Sequence, residues 1–407
     1  MHVIVIGGGI GGLCLANGLK RAGVSVAVYE RDITPTNRNQ GYRIHINTEG
    51  SSALHDCLSP EVWERFVATA GDPGAGMAFM THRLDLLTLI EEDLFTGGRT
   101  APEEGHHAVS RITLRNLLLA DISEIVNFDR KFTGYETKDG RITARFADGS
   151  TATGDVLIGA DGSNSRVRAQ LLPQAGYLDT GALAVGGKLY LTPETKAWLP
   201  ERIPAGMNVI FGQPGRSMFT AVFKRRTYDA GEGDYVLWSL VARRDAYPEK
   251  RDDLRETVTQ MIEGWHPALV RMVADSDPGD VEMFDFRTSA PVKPWPTGPV
   301  TLLGDAIHAM LPTGGEGGNT ALRDAQLLTA KLAAVGRGQA ELLTALGEYE
   351  RAMIEYGFAA SKRALSNARM GISASRINRA FARAFFRTCQ AVPPLKRRIF
   401  GERWSSD

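Results

Sequence analysis

The chain has 407 residues, with 47 Lys or Arg against 47 Asp or Glu, and is 43% hydrophobic and 23% charged. That length points to two or three units around at least one large core, which excludes peptide hormones, zinc minidomains and disulfide scaffolds. The balanced charge provides no global field toward nucleic acid or an anionic membrane, and the composition is that of a folded globular chain.

The first thirty residues read as strand, helix, strand: Val3 to Ile6, a helix to about Ala22, and Val24 to Tyr29. Parallel strands need such a crossover, so an open α/β sheet is expected. Met1 to Ile6 lacks a basic leader and runs into glycine, so it reads as a strand rather than a signal sequence. Asp155 to Arg168 and Val300 to Leu328 repeat the pattern of apolar strand, glycine loop and helix, and read as further edges of the same sheet. Between them Leu183 to Leu191, Met207 to Phe211, Ser217 to Phe223 and Tyr235 to Val241 are short β-branched or aromatic runs that suggest an antiparallel sheet. Arg251 to Trp265 reads as an amphipathic helix, and Asp285 to Ala290 as a strand returning toward the first domain.

From about Ala340 the pattern is helical, with a late break at Pro393-Pro394. Ser361 to Asp407 carries eleven Lys or Arg and two acids. A solvated face, an anionic surface and a partner subunit are the readings of that excess. No apolar run approaches the roughly 20 residues of a membrane span. Cys14, Cys57 and Cys389 are few, odd in number and far apart, which fits a reducing cytoplasm and neither a disulfide framework nor a metal pair.

Gly7, Gly9 and Gly12 satisfy the G-x-G-x-x-G spacing between a strand and a helix. The three glycines suit a tight turn, close approach of a pyrophosphate to backbone, and helix-on-strand packing, with the anion on the helix N-terminus. Glu30 ends the second strand, where a carboxylate accepts hydrogen bonds from a ribose diol. NAD and FAD both use this corner, so these residues leave the choice between them open.

Two later stretches, Asp155-Val156-Leu157-Ile158-Gly159-Ala160-Asp161-Gly162-Ser163 and Thr301-Leu302-Leu303-Gly304-Asp305-Ala306-Ile307-His308, resemble the DG and GD motifs of the flavoprotein aromatic hydroxylases, the group A FAD-dependent monooxygenases similar to para-hydroxybenzoate hydroxylase. The resemblance covers most of the chain and is strongest at these three places. It implies a Rossmann-type FAD-binding domain interleaved with an antiparallel substrate domain and followed by C-terminal helices. The expected segments are 1–75, 101–175 and 286–345 for FAD, 76–100 and 176–285 for substrate, and 346–407 as a basic helical region.

The cofactor set implied is Gly7, Gly9, Gly12, Glu30, Arg31, Arg43, Arg111, Asp161, Gly162, Asp305, Pro312, Gly317, Gly318 and Asn319. In it Asp305 bonds the ribityl chain and Asp161 steadies the pyrophosphate region; helix capping is the alternative for both aspartates. Arg111 forks onto phosphate or ribose oxygens, with a surface arginine as its alternative. Arg43, in the loop Gly41-Tyr42-Arg43, and Pro312 lie near the flavin ring. Leu311 to Asn319 precedes a helix Thr320 to Leu328, whose N-terminus faces the flavin edge that gathers charge on reduction. Glu316 departs from the family, which places a small or amide residue there.

The activity implied is transfer of one oxygen of O2, through a flavin C4a-hydroperoxide, to an aromatic or polycyclic hydrophobic molecule, with NADPH or NADH reducing the flavin. Substrate is expected against Phe211, Phe219 or Phe223. Other readings are a prenyl-reductase-like reductase, an epoxidase or Baeyer–Villiger oxygenase, and a non-catalytic binding module. The sequence contains no metal-ligand spacing and no Gly-x-Ser-x-Gly elbow. His106, His107 and His308 are candidate bases, although isolated histidines more often read as packing or surface residues. A homodimer is an open option, and nucleic acid is not an expected partner.

Overall fold

Val3, Ile4, Val5 and Ile6 are all buried, and a strand apolar on both faces needs cover above and below, the setting of a central parallel strand. In the computed structural model, which describes residues 1–34, 42–225, 233–249 and 252–405, the strand His2–Ile6 leads into the helix Ile10–Arg21 and the strand Ser25–Tyr29. The five-stranded sheet runs in the order Val300–Leu302, Val156–Gly159, His2–Ile6, Ser25–Tyr29, Val126–Asn127. Val300–Leu302 is an edge as expected. Val156–Gly159 is interior instead, because it has parallel partners on both sides.

The chain divides into two compact units, one formed by Met1–Ala68, Val109–Leu178 and Arg287–Leu365 and the other by Thr69–Ala108, Asp179–Phe286 and Ser366–Asp407. The first unit holds the parallel sheet and a three-stranded antiparallel sheet of Phe132–Lys138, Arg141–Phe146 and Thr151–Gly154. Its core also buries Cys14 and Cys57 as thiols, and a hydrogen bond with Cys57 followed by burial holds Cys14 well above the ordinary thiol range.

The second unit holds most of a seven-stranded sheet in the order Glu282–Ser289, Tyr177–Tyr190, Tyr235–Arg243, Arg216–Phe223, Met207–Phe211, Met77–Thr81, Leu86–Ile90. It is mixed rather than antiparallel throughout, because Met77–Thr81 pairs in parallel with Met207–Phe211. Period-two alternation then assigns faces. Ile210, Met218, Val222, Trp238 and Leu240 share one core with Val258, Leu269 and Met272 of the helices Leu254–Met261 and Pro267–Ala274. Phe211, Phe219 and Phe223 take the opposite face, since the register sets Phe211 beside Ser217 and Val209 beside Phe219.

Three expected elements shift. The helix expected over Arg251 to Trp265 is Leu254–Met261, Arg251 lies outside the described residues, and Gly264 at φ +79° separates it from the next helix. The returning strand starts earlier, at Glu282. The helix expected from Thr320 is Glu316–Gly336, so Gly317, Gly318 and Asn319 lie in its first turn. Low helix propensity makes a glycine run read as loop, but the first turn tolerates it when the following residues propagate the helix strongly. The C-terminal helices are Leu342–Gly371, Arg376–Ala391 and Pro393–Ser405. Pro393 opens the last of these, at a position whose N–H has no partner within the helix. Among the described residues no helix is long and apolar enough to cross a membrane.

Candidate cofactor site

The site lies in the first unit, where three corners of chain meet. At the first, Gly7 has φ +113° and a Cβ there would lie 2.3 Å from the Ala160 carbonyl oxygen, while a Cβ on Gly12 would lie 2.2 Å from the Gly7 oxygen. Only glycine fits either place. Gly9 differs, having no atom within 4 Å of its Cβ position. It is the N-cap of Ile10–Arg21, and no side chain caps that helix start. Uncapped N–H groups beside open space and the positive end of the helix dipole form an anion seat.

Buried Glu30 fixes this corner from below. Gly8 N–H donates to Glu30 Oε2 at 2.6 Å and Asp32 N–H to Oε1 at 3.0 Å. Arg115, also buried, donates from Nε to the Gly8 oxygen at 3.2 Å and has Nη2 3.7 Å from Asp32. Sequence reasoning chose Arg111 from this segment and passed over Arg115; the available signal was the four-residue spacing, one helical turn, that sets both on neighbouring positions of Arg111–Leu119.

The second corner follows Val156–Gly159. Asp161 accepts from Ser165 Oγ and from the N–H groups of Arg166 (2.7 Å) and Val167 (3.3 Å), so its carboxylate caps the helix Arg166–Leu171. Gly162 follows at φ +77°. Arg168, missed in the sequence, is buried and donates to the oxygens of Ala306 and Ser163 and to the Tyr177 hydroxyl at 2.8 to 2.9 Å. One guanidinium thereby ties the second corner to the third.

The third corner is Gly304-Asp305. A Cβ on Gly304 would lie 3.0 Å from Ala321 Cβ, and one on Gly11 would lie 2.5 Å from Leu303 Cδ2, so glycine lets the first and third corners and the helix Glu316–Gly336 close on one another. Asp305 is open to solvent at its surface, yet the protein around it is dense enough that desolvation raises its pKa, with His308 and Arg111 lowering it and Asp324 raising it. Asp305 is therefore an exposed carboxylate whose charge is felt by His308, Arg111 and Asp324. A Cβ on Gly317 would lie 4.0 Å from Asp305 Oδ1, and nothing lies within 4 Å of that of Gly318.

Glu316 opens the helix without burdening the site, because Arg363 Nη2 pairs with its Oε2 at 2.8 Å. Asn319 is buried and spends its side chain on scaffold. Its Nδ2 donates to the His45 and Gly315 oxygens at 2.9 Å, and its Oδ1 accepts from Asn47 N–H at 3.0 Å. Arg43 is buried at the start of the strand Arg43–Ile46 rather than in a loop, since the β region begins at that residue; Gly41 lies outside the described residues. Arg111, exposed at the first position of its helix, reaches Asp305 through its charge. Arg31 and Pro312 are exposed, and the Pro312 oxygen accepts from Gly315 N–H at 3.0 Å to close the turn before the helix.

His308 is not a lone packing residue. Buried Asp324 accepts from His308 Nε2 at 2.7 Å and Gly304 N–H at 2.8 Å on Oδ2, and from the Tyr356 hydroxyl at 2.5 Å on Oδ1. Burial is the largest influence on His308 and opposes its charge, but the charge and hydrogen bond of Asp324 together with Asp305 leave its pKa raised. His106 stands apart from this network, pushed down to about 4 by burial and by His107.

A flavin dinucleotide would fit this arrangement of an uncapped helix start at Gly9, an exposed carboxylate at Asp305 and a second helix start at Gly318, with no atom within 4 Å of the Cβ position of Gly9 or Gly318. A family model described as an FAD-binding domain matches residues 1–355. The chain belongs to this FAD-dependent monooxygenase family. It is 31% identical over 368 residues to an FAD-dependent urate hydroxylase of Klebsiella pneumoniae, covering 86% of this chain and 85% of that protein. It is 32% identical over 370 residues to the dual O-methyltransferase/FAD-dependent monooxygenase elcB of Phaeosphaeria nodorum, covering 80% of this chain but 39% of that protein. The chain thus spans well under half the length of the fungal dual-function relatives. Among solved structures, Klebsiella pneumoniae HpxO complexed with FAD and uric acid is 25% identical with a TM-score of 0.80, covering 95% of this chain and 93% of that one. A Photorhabdus luminescens subsp. laumondii TTO1 protein assigned as an FAD-containing monooxygenase is 34% identical with a TM-score of 0.83, over 91% and 98% of the two chains.

Proposed function

We propose that the chain is a monooxygenase that would hold FAD and, with NADPH or NADH as the reductant, transfer one oxygen atom of O2 to an aromatic or polycyclic hydrophobic molecule. The second oxygen atom leaves as water, with the two electrons of the donor closing the balance. The observation that carries the reading is the meeting of three distant corners, Gly7 to Gly12, Asp161 with Arg168, and Gly304-Asp305, against the start of Glu316–Gly336. FAD supplies the activation of O2; the chain supplies binding, orientation and electrostatics.

In this reading the first turn of Ile10–Arg21 takes the pyrophosphate and Glu30, already ordered by Gly8, takes the ribose edge. Asp305 accepts from the ribityl hydroxyls, and the start of Glu316–Gly336 stabilises negative charge on the flavin edge, with Glu316 held in its ion pair with Arg363. Asp161 and Asn319 act by fixing the backbone of their corners. The face of the seven-stranded sheet that bears half-buried Phe219, Val209 and Leu237 supplies an apolar wall for an aromatic ring. Phe211 and Phe223 stand on the same face at the wall's edges, packed on Phe79 and Phe386 and on Tyr235 with ring centroids 5.3 to 6.2 Å apart.

The test is purification with its flavin spectrum recorded, then NADPH and NADH oxidation against a panel of phenolic and polycyclic compounds under labelled O2, with mass analysis of products. One labelled oxygen in a product whose formation tracks donor oxidation is the expected result. A colourless protein that takes up no FAD overturns the cofactor assignment. Turnover that proceeds without O2 overturns the oxygenase assignment in favour of a reductase.

A further inference from the structure

The helix Arg376–Ala391 has a largely exposed apolar side, on which Phe385 reaches the buried Phe386 and Phe400. Phe386 and Cys389 turn inward and pack with Phe79, Leu87 and Phe211. On the other side Ile377, Phe381 and Phe385 are 68%, 72% and 43% exposed, and Val392 just beyond is 43% exposed. These positions recur every four residues or so, which aligns them as one stripe along the helix. Four large apolar side chains in a line on a folded surface are a contiguous patch rather than scattered exposure.

The surroundings of the stripe carry one sign of charge. From Ser361 to Gly401 the sequence has ten Lys or Arg and no acid. Lys396 is committed to Glu91, but Arg369, Arg376, Arg387, Arg397 and Arg398 are exposed. At 100° per residue Arg376 and Arg387 fall on the same edge of the stripe, with Arg379 and Arg383 one step further round. The crowding is felt: burial and then Arg383 lower the pKa of Arg379, and burial followed by Arg383, Arg83 and Arg379 lowers that of His82, against which only Asp85 acts.

A helix with a bulky apolar stripe, arginines along its edge and long cationic side chains free to reach outward has the anatomy of one lying in a membrane interface. We propose that the outward face of Arg376–Ala391 docks on an anionic phospholipid surface, with Ile377, Phe381 and Phe385 entering the acyl boundary and Arg376, Arg387, Arg397 and Arg398 meeting the headgroups. Charge complementarity selects this occupant: a stripe built for a second copy of the chain would bring together two cation-rich faces, whose own helices carry no acid from Ser361 to Gly401. It also selects the anionic lipid, since each Lys or Arg near such a surface strengthens binding about fivefold.

The experiment is co-sedimentation of the FAD-loaded protein with vesicles of phosphatidylcholine alone and of phosphatidylcholine mixed with phosphatidylglycerol. Partition onto the mixed vesicles is expected to exceed that onto the neutral ones at least about tenfold, and to collapse in high salt, where the Debye length falls to about 3 Å. The double variant I377E/F381E is expected to lose partition while keeping flavin content and melting temperature, because these side chains are 68% and 72% exposed and neither belongs to the buried cluster, whereas Phe385 stays in place against Phe386 and Phe400; the double variant R376E/R387E tests the charged edge in the same way. Equal partition onto both vesicle types, or partition onto neither, overturns the proposal. So does a dimer in analytical ultracentrifugation that I377E/F381E converts to monomer.

Discussion

Replacing Asp324 by Asn keeps the volume of the side chain and removes its charge from the centre of the network behind the third corner. Asp324 takes three donors: Gly304 N–H and His308 Nε2 on one oxygen, and the Tyr356 hydroxyl on the other. Each bond to a charged acceptor is worth roughly 1 kcal/mol more than its neutral counterpart, so about 3 kcal/mol is lost from charge alone. The amide adds a mismatch. If its oxygen keeps the two donors, its NH2 faces a tyrosine hydroxyl that now has to accept. Removing one partner of a buried pair costs about 3–5 kcal/mol, and the two routes agree in scale. Urea unfolding of the FAD-free protein reads the change as a shift of midpoint at constant slope.

The pH dependence separates this account from simple packing loss. Asp324 and Asp305 outweigh burial and raise the His308 pKa in the folded protein. The stability contributed by that ion pair is therefore complete below the ordinary imidazole value of about 6.5 and fades as pH rises through the higher folded value. The gap between parent and D324N is expected to narrow toward alkaline pH, leaving the part due to Gly304 and Tyr356. A gap that stays constant or widens above neutrality, or a variant within about 0.5 kcal/mol of the parent, refutes the reasoning.

Asp305→Ala removes the exposed carboxylate of the third corner and is expected to weaken FAD binding roughly 10- to 100-fold, the worth of a hydrogen-bonding group of that charge, in a flavin-fluorescence titration; unchanged affinity counts against its role. Two glycines of one motif should behave oppositely. Gly12→Ala, whose Cβ would meet the Gly7 oxygen at 2.2 Å, is expected to lower the stability of the FAD-free protein by about 1–3 kcal/mol. Gly9→Ala, with nothing within 4 Å, should leave that stability within about 0.5 kcal/mol and impair FAD uptake; equal effects in a thermal melt would undo the assignment of the open space to the pyrophosphate. Phe219→Ala trims the apolar wall and should raise KM for an aromatic substrate about 10-fold, the loss of a ring contact worth roughly 1.5 kcal/mol, with flavin content unchanged; an altered flavin content with KM intact would place Phe219 elsewhere in the machinery.

Much of this protein was readable in one dimension because its signals are local. A run such as Val3 to Ile6 followed by glycines has few conformational options, and the crossover that joins it to Ser25–Tyr29 has one favoured hand, so the opening unit and its anion seat follow from adjacent residues. The same holds for the glycines beside Asp161 and Asp305, whose spacing from a strand end carries the motif. Tertiary structure alone decided which polar groups serve the scaffold. Asp161 spends its oxygens on a helix start, and Asn319 holds His45 and Asn47, neighbours some 270 residues away along the chain. Arg115, Arg168 and Asp324 acquire their roles from partners such as Gly8, Ala306 and Gly304, brought near only by closure of the corners. Strand register likewise set the three phenylalanines on one face, since a shift of one residue would have turned each of them over. Hydrogen-bond partnership and side-chain direction are properties of pairs distant in sequence, and no pattern within a single segment encodes them.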